Sequence, residues 1–337
     1  MSDIRHIKPS GSVPKRISKV MNGTLVERKK ICRCINGKLV VVWDVGGGDM
    51  VFVFNIPSAN YIFKFDSLYP NSTHTYDIDW GDGSVEVGLS ASSLHRHTYD
   101  SAGLKTITIN NYTADYMSGS FLPTDKTLLI SAELPKINSF TTDGYGATFS
   151  GCTNLEKLTF GNITTVPVKF CYDCKKLKEV DISNVDTIYG SAFENCGITT
   201  AKLKENINVF QSAFKNSGLT SIHIPTGTYG EAVFMNCKNL KSYTWGENTV
   251  ILAHMFQGSA VSFYVAPSVV TIGIMAFAQC TNLGTSITIP ANVSTIAQYA
   301  FSATGITDIY IQRNRSDGYI SGQPWGATGA TVHYLDD

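Results

Sequence analysis

Apolar residues recur along the second half of the chain with a period close to 22 residues. Phenylalanines lead the repeat at Phe149, Phe170, Phe193, Phe214, Phe234, Phe256, Phe277 and Phe301, and Trp325 stands in the ninth slot. Three residues after most of them comes a small side chain: Cys152, Cys196, Ser217, Cys237, Ser259, Cys280, Thr304 or Thr328. An apolar triplet follows, spaced L-x-x-I-x-I, as in Leu177-Val180-Ile182, Leu219-Ile222-Ile224 and Ile306-Ile309-Ile311. Its last two members alternate as a half-buried strand requires, and the phenylalanine predicts a short helical or turn segment on the opposite wall. A unit of this length cannot bury its own apolar face, whereas stacked copies can, so the period predicts a solenoid over residues 149–337.

Upstream the alternation changes. Ile17 to Met21, Thr24 to Ile35 and Lys38 to Trp43 alternate and are separated by Asn22-Gly23 and Asn36-Gly37, two residue pairs that tolerate positive φ. This predicts a small β-meander over residues 1–48, closed by a flexible Gly46-Gly47-Gly48. Val51 to Phe54, Tyr61 to Phe65, Tyr76 to Trp80 and Leu104 to Ile109 predict a β-sandwich over 49–113, with Gly81-Asp82-Gly83 as a turn. Residues 114–148 have strand character at Leu128 to Ile130 and Leu134 to Phe140 without the full repeat. They are expected to connect the sandwich to the solenoid and cap its first unit. The fold class is thus mainly β in three modules and a connector.

The repeat closely resembles that of BspA-like leucine-rich repeat proteins, A-F-x-x-C-x-x-L-x-x-I-x-I-P. The best copy runs from Ala276-Phe277 through Cys280 and Leu283 to Ile287-Thr288-Ile289-Pro290. That resemblance implies a recognition surface. Ile78-Asp79-Trp80-Gly81-Asp82-Gly83, with His97-Thr98-Tyr99 and Ala102-Gly103, resembles the PKD-domain signature and implies an immunoglobulin-like spacer or adhesion module. Asn36-Gly37-Lys38-Leu39-Val40 with Trp43 resembles docking modules of tail-associated phage proteins, which implies attachment to other virion proteins through residues 1–48.

Composition changes this picture in one respect. Lys and Arg balance Asp and Glu at 27 each, but residues 1–45 carry ten cations against three anions, a surplus of +7. A basic start suits an acidic partner. The balancing surplus of −7 falls on the remainder and excludes base-blind nucleic-acid binding by the solenoid. The first fourteen residues lack the apolar stretch of a secretory signal, and no 18-residue apolar run predicts a membrane span.

Candidate chemistry is sparse. No G-x-S-x-G, phosphate-binding loop or H-E-x-x-H occurs, so no catalytic residues are expected. No cofactor and no metal site is expected either. Cys152, Cys174, Cys196, Cys237 and Cys280 fall in the small-residue slot as buried packing groups, and Cys171-x-x-Cys174 lacks the second half of a zinc site. Cys32 and Cys34 share a strand face. His95 and His97, two apart, are read as packing and hydrogen-bonding groups. Asp77, Asp79 and Asp82 depart from a calcium loop, because Gly81 occupies the fifth position, and are read as turn-fixing.

What the repeats offer instead is a face. The residue between the last two apolar positions of each triplet points outward, which assigns Thr159, Asp181, Lys202, His223, Thr244, Val265, Thr288 and Tyr310 to one exposed row, the candidate ligand-binding site. The combined reading is a non-enzymatic adhesion protein of a bacteriophage virion surface, on tail or capsid. It attaches by its N-terminus, forms homo-oligomers, and binds a host glycan or surface protein through the solenoid. The alternatives are a BspA-like adhesin of the bacterial cell surface and a carbohydrate-active enzyme.

Overall fold

The computed structural model describes residues 15–21, 24–35, 38–43, 49–65, 73–118, 122, 125–141 and 148–337, the first three segments as strand paths alone. Contacts divide the chain into two compact units, Met1–Asp49 and Met50–Asp337. In the first, β1 (Lys15–Met21), β2 (Thr24–Ile35) and β3 (Lys38–Trp43) pair antiparallel in the order β1-β2-β3. Met21 stands opposite Thr24 and Ile35 opposite Lys38. The Asn-Gly pairs, the Gly46–Gly48 hinge and the side chains of Cys32 and Cys34 lie outside the described residues.

The second unit opens with β4 (Met50–Ile56), β5 (Tyr61–Phe65), β6 (Thr75–Asp79), β7 (Val85–Ser90), β8 (His95–Tyr99) and β9 (Gly103–Asn110). Alternation buries Met50, Phe52, Phe54 and Ile56 along one face of β4. A separate two-stranded sheet, β5-β8, lies across that face. Phe63 meets Phe54 edge-on at 4.7 Å, Phe65 meets Phe63 at 5.0 Å, and Trp80 stacks on Phe65 at 5.9 Å. Complete burial of such side chains stabilises by about 1.5–3 kcal/mol each.

The larger sheet does not end at this layer. After β10 (Tyr116–Ser118), β11 (Leu129–Leu134) pairs antiparallel with β4; β12 (Ser139–Thr141) pairs with β10, and β13 (Lys157–Phe160) pairs parallel with β11. The six-stranded order is β13-β11-β4-β9-β6-β7. The segment read from sequence as a connector therefore supplies the strand that joins an antiparallel sheet to the first parallel rung of the repeats.

The repeats then lay down a turn each and short strand rungs in two sets, some repeats contributing to both sets and some to one. One set of rungs is the outward-facing triplet: Ser221–Ile224 with Ser242–Trp245, and Ser286–Ile289 with Asp308–Ile311 and Thr331–His333, all parallel. The other set has no counterpart in the sequence reading. It comprises rungs of two or three residues such as Thr165–Val166, Thr187–Ile188, Ile207–Val209 and Gly227–Tyr229, which pair parallel in a four-stranded sheet.

The phenylalanine segment is a turn with two left-handed residues per repeat, as at Ser191 and Asn195 (φ 55° and 58°) or Ser212 and Asn216 (57° and 55°). Between them the N–H of Ser191, Phe193 and Asn195 donates to the carbonyl of Gln211, Ala213 and Lys215 in the next repeat. Phe193, Phe214, Phe234, Phe256, Phe277 and Phe301 form one continuous stack, centroids 5.3–6.0 Å apart and planes within 13–17°. Trp325 closes it edge-on to Phe301 at 6.5 Å.

Phe170 is a correction to the expected series. Cys171, not Phe170, donates its N–H to Ala192, and the N–H of Phe149 donates to the Phe170 carbonyl. Cys171 thus fills the phenylalanine slot and Phe170 the preceding small-residue slot held elsewhere by Ala192, Ala213 or Ala276. Phe170 packs edge-on to Phe149 and against Phe140 (4.8 Å), so the parallel stack starts one repeat later.

Candidate functional site

The outward row exists on the described ladder, with one displacement and two additions. Thr159, Asp181, Lys202, His223, Thr244, Thr288 and Tyr310 are exposed. His223 stands opposite Thr244, and Thr288 opposite Tyr310. Val265 does not belong to it: it is buried, and Tyr264 beside it is 45% exposed.

The reason is a length change. Val261 and Phe263 are two residues apart where Leu219 and Ile222 are three apart, and shortening a strand by one residue turns every side chain to the other face. The next repeat is one residue longer, with Gly284 extra between Leu283 and Ile287. The two errors add, and the ladder breaks. Among the described residues no backbone hydrogen bond joins 263–265 to 286–289. Sequence inspection had the signal, an unequal spacing inside the triplet, but a fixed template passes over it.

Register also extends the row. Glu133 stands opposite Thr159, and His333 opposite Tyr310. Chemistry changes along its length. At the first end Lys157 donates to Glu133 at 2.5 Å, Asp181 accepts from Ser183, and Lys202 lies close by. Hydrogen bonds from the Ser183 hydroxyl and N–H, against a small burial effect, hold the Asp181 carboxyl below its usual range, helped by the Lys202 charge. In the middle, Nδ1 of His223 lies 2.7 Å from the Thr244 hydroxyl. At the far end Tyr310 stacks on His333 at 4.6 Å and 15°, and His333 Nε2 meets Asp308 at 2.9 Å. The row is charged at one end and aromatic at the other.

The second ladder carries an exposed patch that the sequence reading missed with the ladder itself. Tyr189 and Phe210 follow consecutive rungs, stack at 4.9 Å and 22°, and remain 39% and 47% exposed, with Val168 beside them. On the turn side, Asn195, Asn216 and Asn236 line an open groove of about 890 Å³ with Asp173, Lys175 and Lys238. Asn216 Nδ2 donates to Asn195 Oδ1 at 2.8 Å, and asparagine is the side chain that best tolerates these left-handed positions.

The remaining titratable groups serve the fold. Sγ of Cys174, Cys237 and Cys280 lies 3.0, 3.1 and 2.9 Å from the carbonyls of Phe149, Phe214 and Phe256, and Ser259 donates to Phe234 at 2.6 Å. The small slot therefore needs a donor as well as small size, which explains its Cys/Ser alternation. Burial pushes the Cys237 and Cys280 thiols up to about 11, away from nucleophilic use at neutral pH. Cys171 and Cys174 are both buried and free.

In the β4–β9 layer, each of the three aspartates holds its loop. Asp77 accepts from Gly88 and Asn111, Asp79 from Gly81, and Asp82 from Ser84 and His97. A side chain at Gly81 would collide with the Thr106 carbonyl, and its φ of +77° lies in the left-handed region. His97 stacks on Trp80 at 4.7 Å, and His95 Nε2 lies 3.0 Å from the Ser90 carbonyl. Among the described residues no three His, Cys, Asp or Glu side chains gather to hold a metal ion.

Comparison with known proteins bears on the same residues. The BspA type leucine-rich repeat region family matches six copies over residues 84–199, 146–261 and 208–318. The chain belongs to this family. The match opens at residue 84, inside the segment read from sequence as the sandwich module. Among solved structures the chain is similar to a leucine-rich repeat protein from Bacteroides ovatus ATCC 8483 (19% identity, TM-score 0.43, 56% of this chain and 57% of that one). It is also similar to a leucine rich cell surface protein from Faecalibacterium prausnitzii A2-165 (17% identity, TM-score 0.32, 67% and 84%) and to the pneumococcal vaccine antigen PcpA (14% identity, TM-score 0.31, 55% and 51%). The match spans little more than half of the Bacteroides ovatus chain. No curated protein matches the sequence.

Proposed function

We propose that the chain is a non-enzymatic recognition protein of a bacterial cell surface, in which the leucine-rich repeats present the outward row to a ligand. The observation that carries this reading is the row itself. Paired rungs hold His223 opposite Thr244 and Tyr310 between Thr288 and His333, and Asp181, Lys202 and Tyr264 are exposed in the neighbouring repeats, while the apolar positions beside them are buried. Side chains that vary from rung to rung on an invariant backbone suit recognition, because the scaffold fixes their spacing without ordering entropy on binding. Membership of the BspA-type family supports the surface location, and the attachment role falls to residues 1–48.

A virion surface is the second reading, favoured by the surplus of seven positive charges in residues 1–45, which suits docking on an acidic structural partner. Immunogold microscopy with antibody against the repeats separates the two. Label on bacterial cells supports the cell-surface reading, and label confined to phage particles replaces it with the virion one. Release of reducing sugar from cell-wall material by the purified chain would overturn the non-enzymatic assignment.

A further inference from the structure

The ladder break opens a cleft of about 740 Å³ in the outward row, between the short repeat at 261–265 and the long one at 283–289. Its walls combine two kinds of group. Phe263, Tyr264 and Pro290 give apolar surface; Thr288, Asn292 and Gln312 give a hydroxyl and two amides. Tyr264 is 45% exposed, and Gln312 is exposed, its backbone N–H fixed to the Ile289 carbonyl at 3.0 Å. Asn292 is held by a bond from Nδ2 to the Pro267 carbonyl at 2.8 Å, which assigns that nitrogen as a donor and Oδ1 as an acceptor. No carboxylate, ammonium, guanidinium or imidazole lines the cleft among the described residues.

We infer that this cleft binds a neutral saccharide. The inference rests on the recognition reading above and names the ligand of one part of that row. A pyranose presents C–H groups on its faces and hydroxyls round its edge. An exposed aromatic ring beside neutral amides and a hydroxyl complements both at once. No charged side chain among the described residues lines the cleft, and the nearest guanidinium, Arg313, is turned to the Ala291 carbonyl at 3.4 Å. The other two surfaces lack the combination. The asparagine groove has amides and charges without an aromatic ring, and Tyr189 and Phe210 cover each other's faces by stacking. The break also has a physical logic: continuous pairing would close the row, and a deletion followed by an insertion opens it without disturbing the phenylalanine stack, which runs unbroken through Phe256, Phe277 and Phe301.

The test uses the full chain on an array of neutral hexose and N-acetylhexosamine oligosaccharides printed beside sialylated and sulfated counterparts, with calorimetry on the best neutral member. Binding to neutral members is expected. Tyr264→Ala should weaken it about tenfold or more, and Tyr264→Phe should retain it within about threefold, since the ring and not the hydroxyl makes the contact. Gln312→Ala, remote from the core, should also weaken it and decides the matter if Tyr264→Ala alters the circular dichroism spectrum. Preference for the acidic members, or neutral binding unchanged in Tyr264→Ala and Gln312→Ala, overturns the inference. A chain that binds intact cells but no printed sugar refutes the saccharide while leaving the recognition reading standing. One that binds neither refutes both.

Discussion

The β4–β9 layer and the repeats are both built on phenylalanine, yet their rings are arranged in different ways. In the β4–β9 layer Phe54, Phe63 and Phe65 meet edge to face, at 68–81°, beside two stacked pairs, Phe52–Phe54 and Phe65–Trp80, each at 27°. From Phe193 to Phe301 the rings lie nearly parallel. The edge-on geometry is favoured when positions are free to vary, because a ring's positive edge meets its neighbour's negative face. Repetition removes that freedom. Successive copies related by a near translation place each ring in the same orientation, so only offset stacking satisfies every repeat. Where the repetition lapses, at Phe149, Phe170 and Trp325, edge-on contacts return. An unbroken run of parallel rings, and not the stacking of any single pair, therefore marks strict repetition.

The difference extends to how damage spreads. A repeat contacts its neighbours alone, whereas β4 is tied at once to β9 and β11 and faces the β5-β8 sheet. Phe234→Ala and Phe54→Ala should each cost about 3–5 kcal/mol, the largest effects considered, in denaturant unfolding. They should separate in hydrogen exchange. Phe234→Ala is expected to speed exchange first between about Phe214 and Phe256, and Phe54→Ala across β4, β9 and β11 together. Equal spreading in both would end the contrast.

The swapped slot at 170–171 gives a sharper version. Phe170→Ala alone opens a cavity worth about 3–5 kcal/mol, and Cys171→Phe alone overpacks by about 1–3 kcal/mol. The double substitution restores the Ala-Phe order of the other repeats and should destabilise by clearly less than the sum of the two, extending the parallel stack by one ring. Strict additivity in a double-mutant cycle would show that the two positions are not exchanged partners.

Ser259 tests the small slot. It donates to Phe234 and accepts from the Cys237 N–H, both buried. Ser259→Ala leaves the Cys237 N–H and the Phe234 carbonyl only their long 3.4 Å bond to each other and should cost about 1–2 kcal/mol, whereas Ser259→Cys should recover part of that through its weak S–H, by thermal or denaturant midpoint.

The β4–β9 layer contributes an acid-sensitive clamp at Asp82. Burial raises the Asp82 carboxyl, but its bonds from His97 and Ser84 outweigh this and hold it below the model-peptide value of 3.8. A carboxyl depressed in the fold contributes stability that is present above its unfolded pKa and lost as pH falls through the folded one. Midpoints recorded from pH 5 downward should fall less steeply in Asp82→Asn than in the parent chain, and identical acid limbs would count against the clamp.

Much of this was legible because repetition multiplies weak signals. One L-x-x-I-x-I triplet is ambiguous, and eight in phase are not. The second ladder was hidden because rungs such as Thr187–Ile188 are two residues long and carry no period of their own; they exist only by pairing with Thr165–Val166 and Asn208–Val209. The joining of the antiparallel sheet to the solenoid was hidden for a related reason: Leu129–Leu134 reads as a plain strand, and nothing local tells it to pair antiparallel on one side and parallel on the other. Val265 and Cys171 failed differently. In both, a one-residue change of spacing moved the pattern, and the eye kept the residue type that matched. Seven of the eight row positions are exposed because alternation within the triplet sets them, and Tyr264 was missed because there the spacing changes.

The smallest expected effect on stability divides the outward row from everything beneath it. His223 and Thr244 face solvent and bond to each other at 2.7 Å across adjacent rungs, where exposure lets water replace either partner. His223→Ala and Thr244→Ala should each change unfolding free energy by no more than about 0.5 kcal/mol, against 3–5 kcal/mol for the phenylalanine one layer below. If the row is a recognition surface, the same substitutions should lower binding to intact cells in at least one rung while leaving the thermal midpoint in place. A row whose substitutions move stability and binding in proportion would be scaffold, and the recognition role would pass to the turn-side groove or to the Tyr189–Phe210 patch.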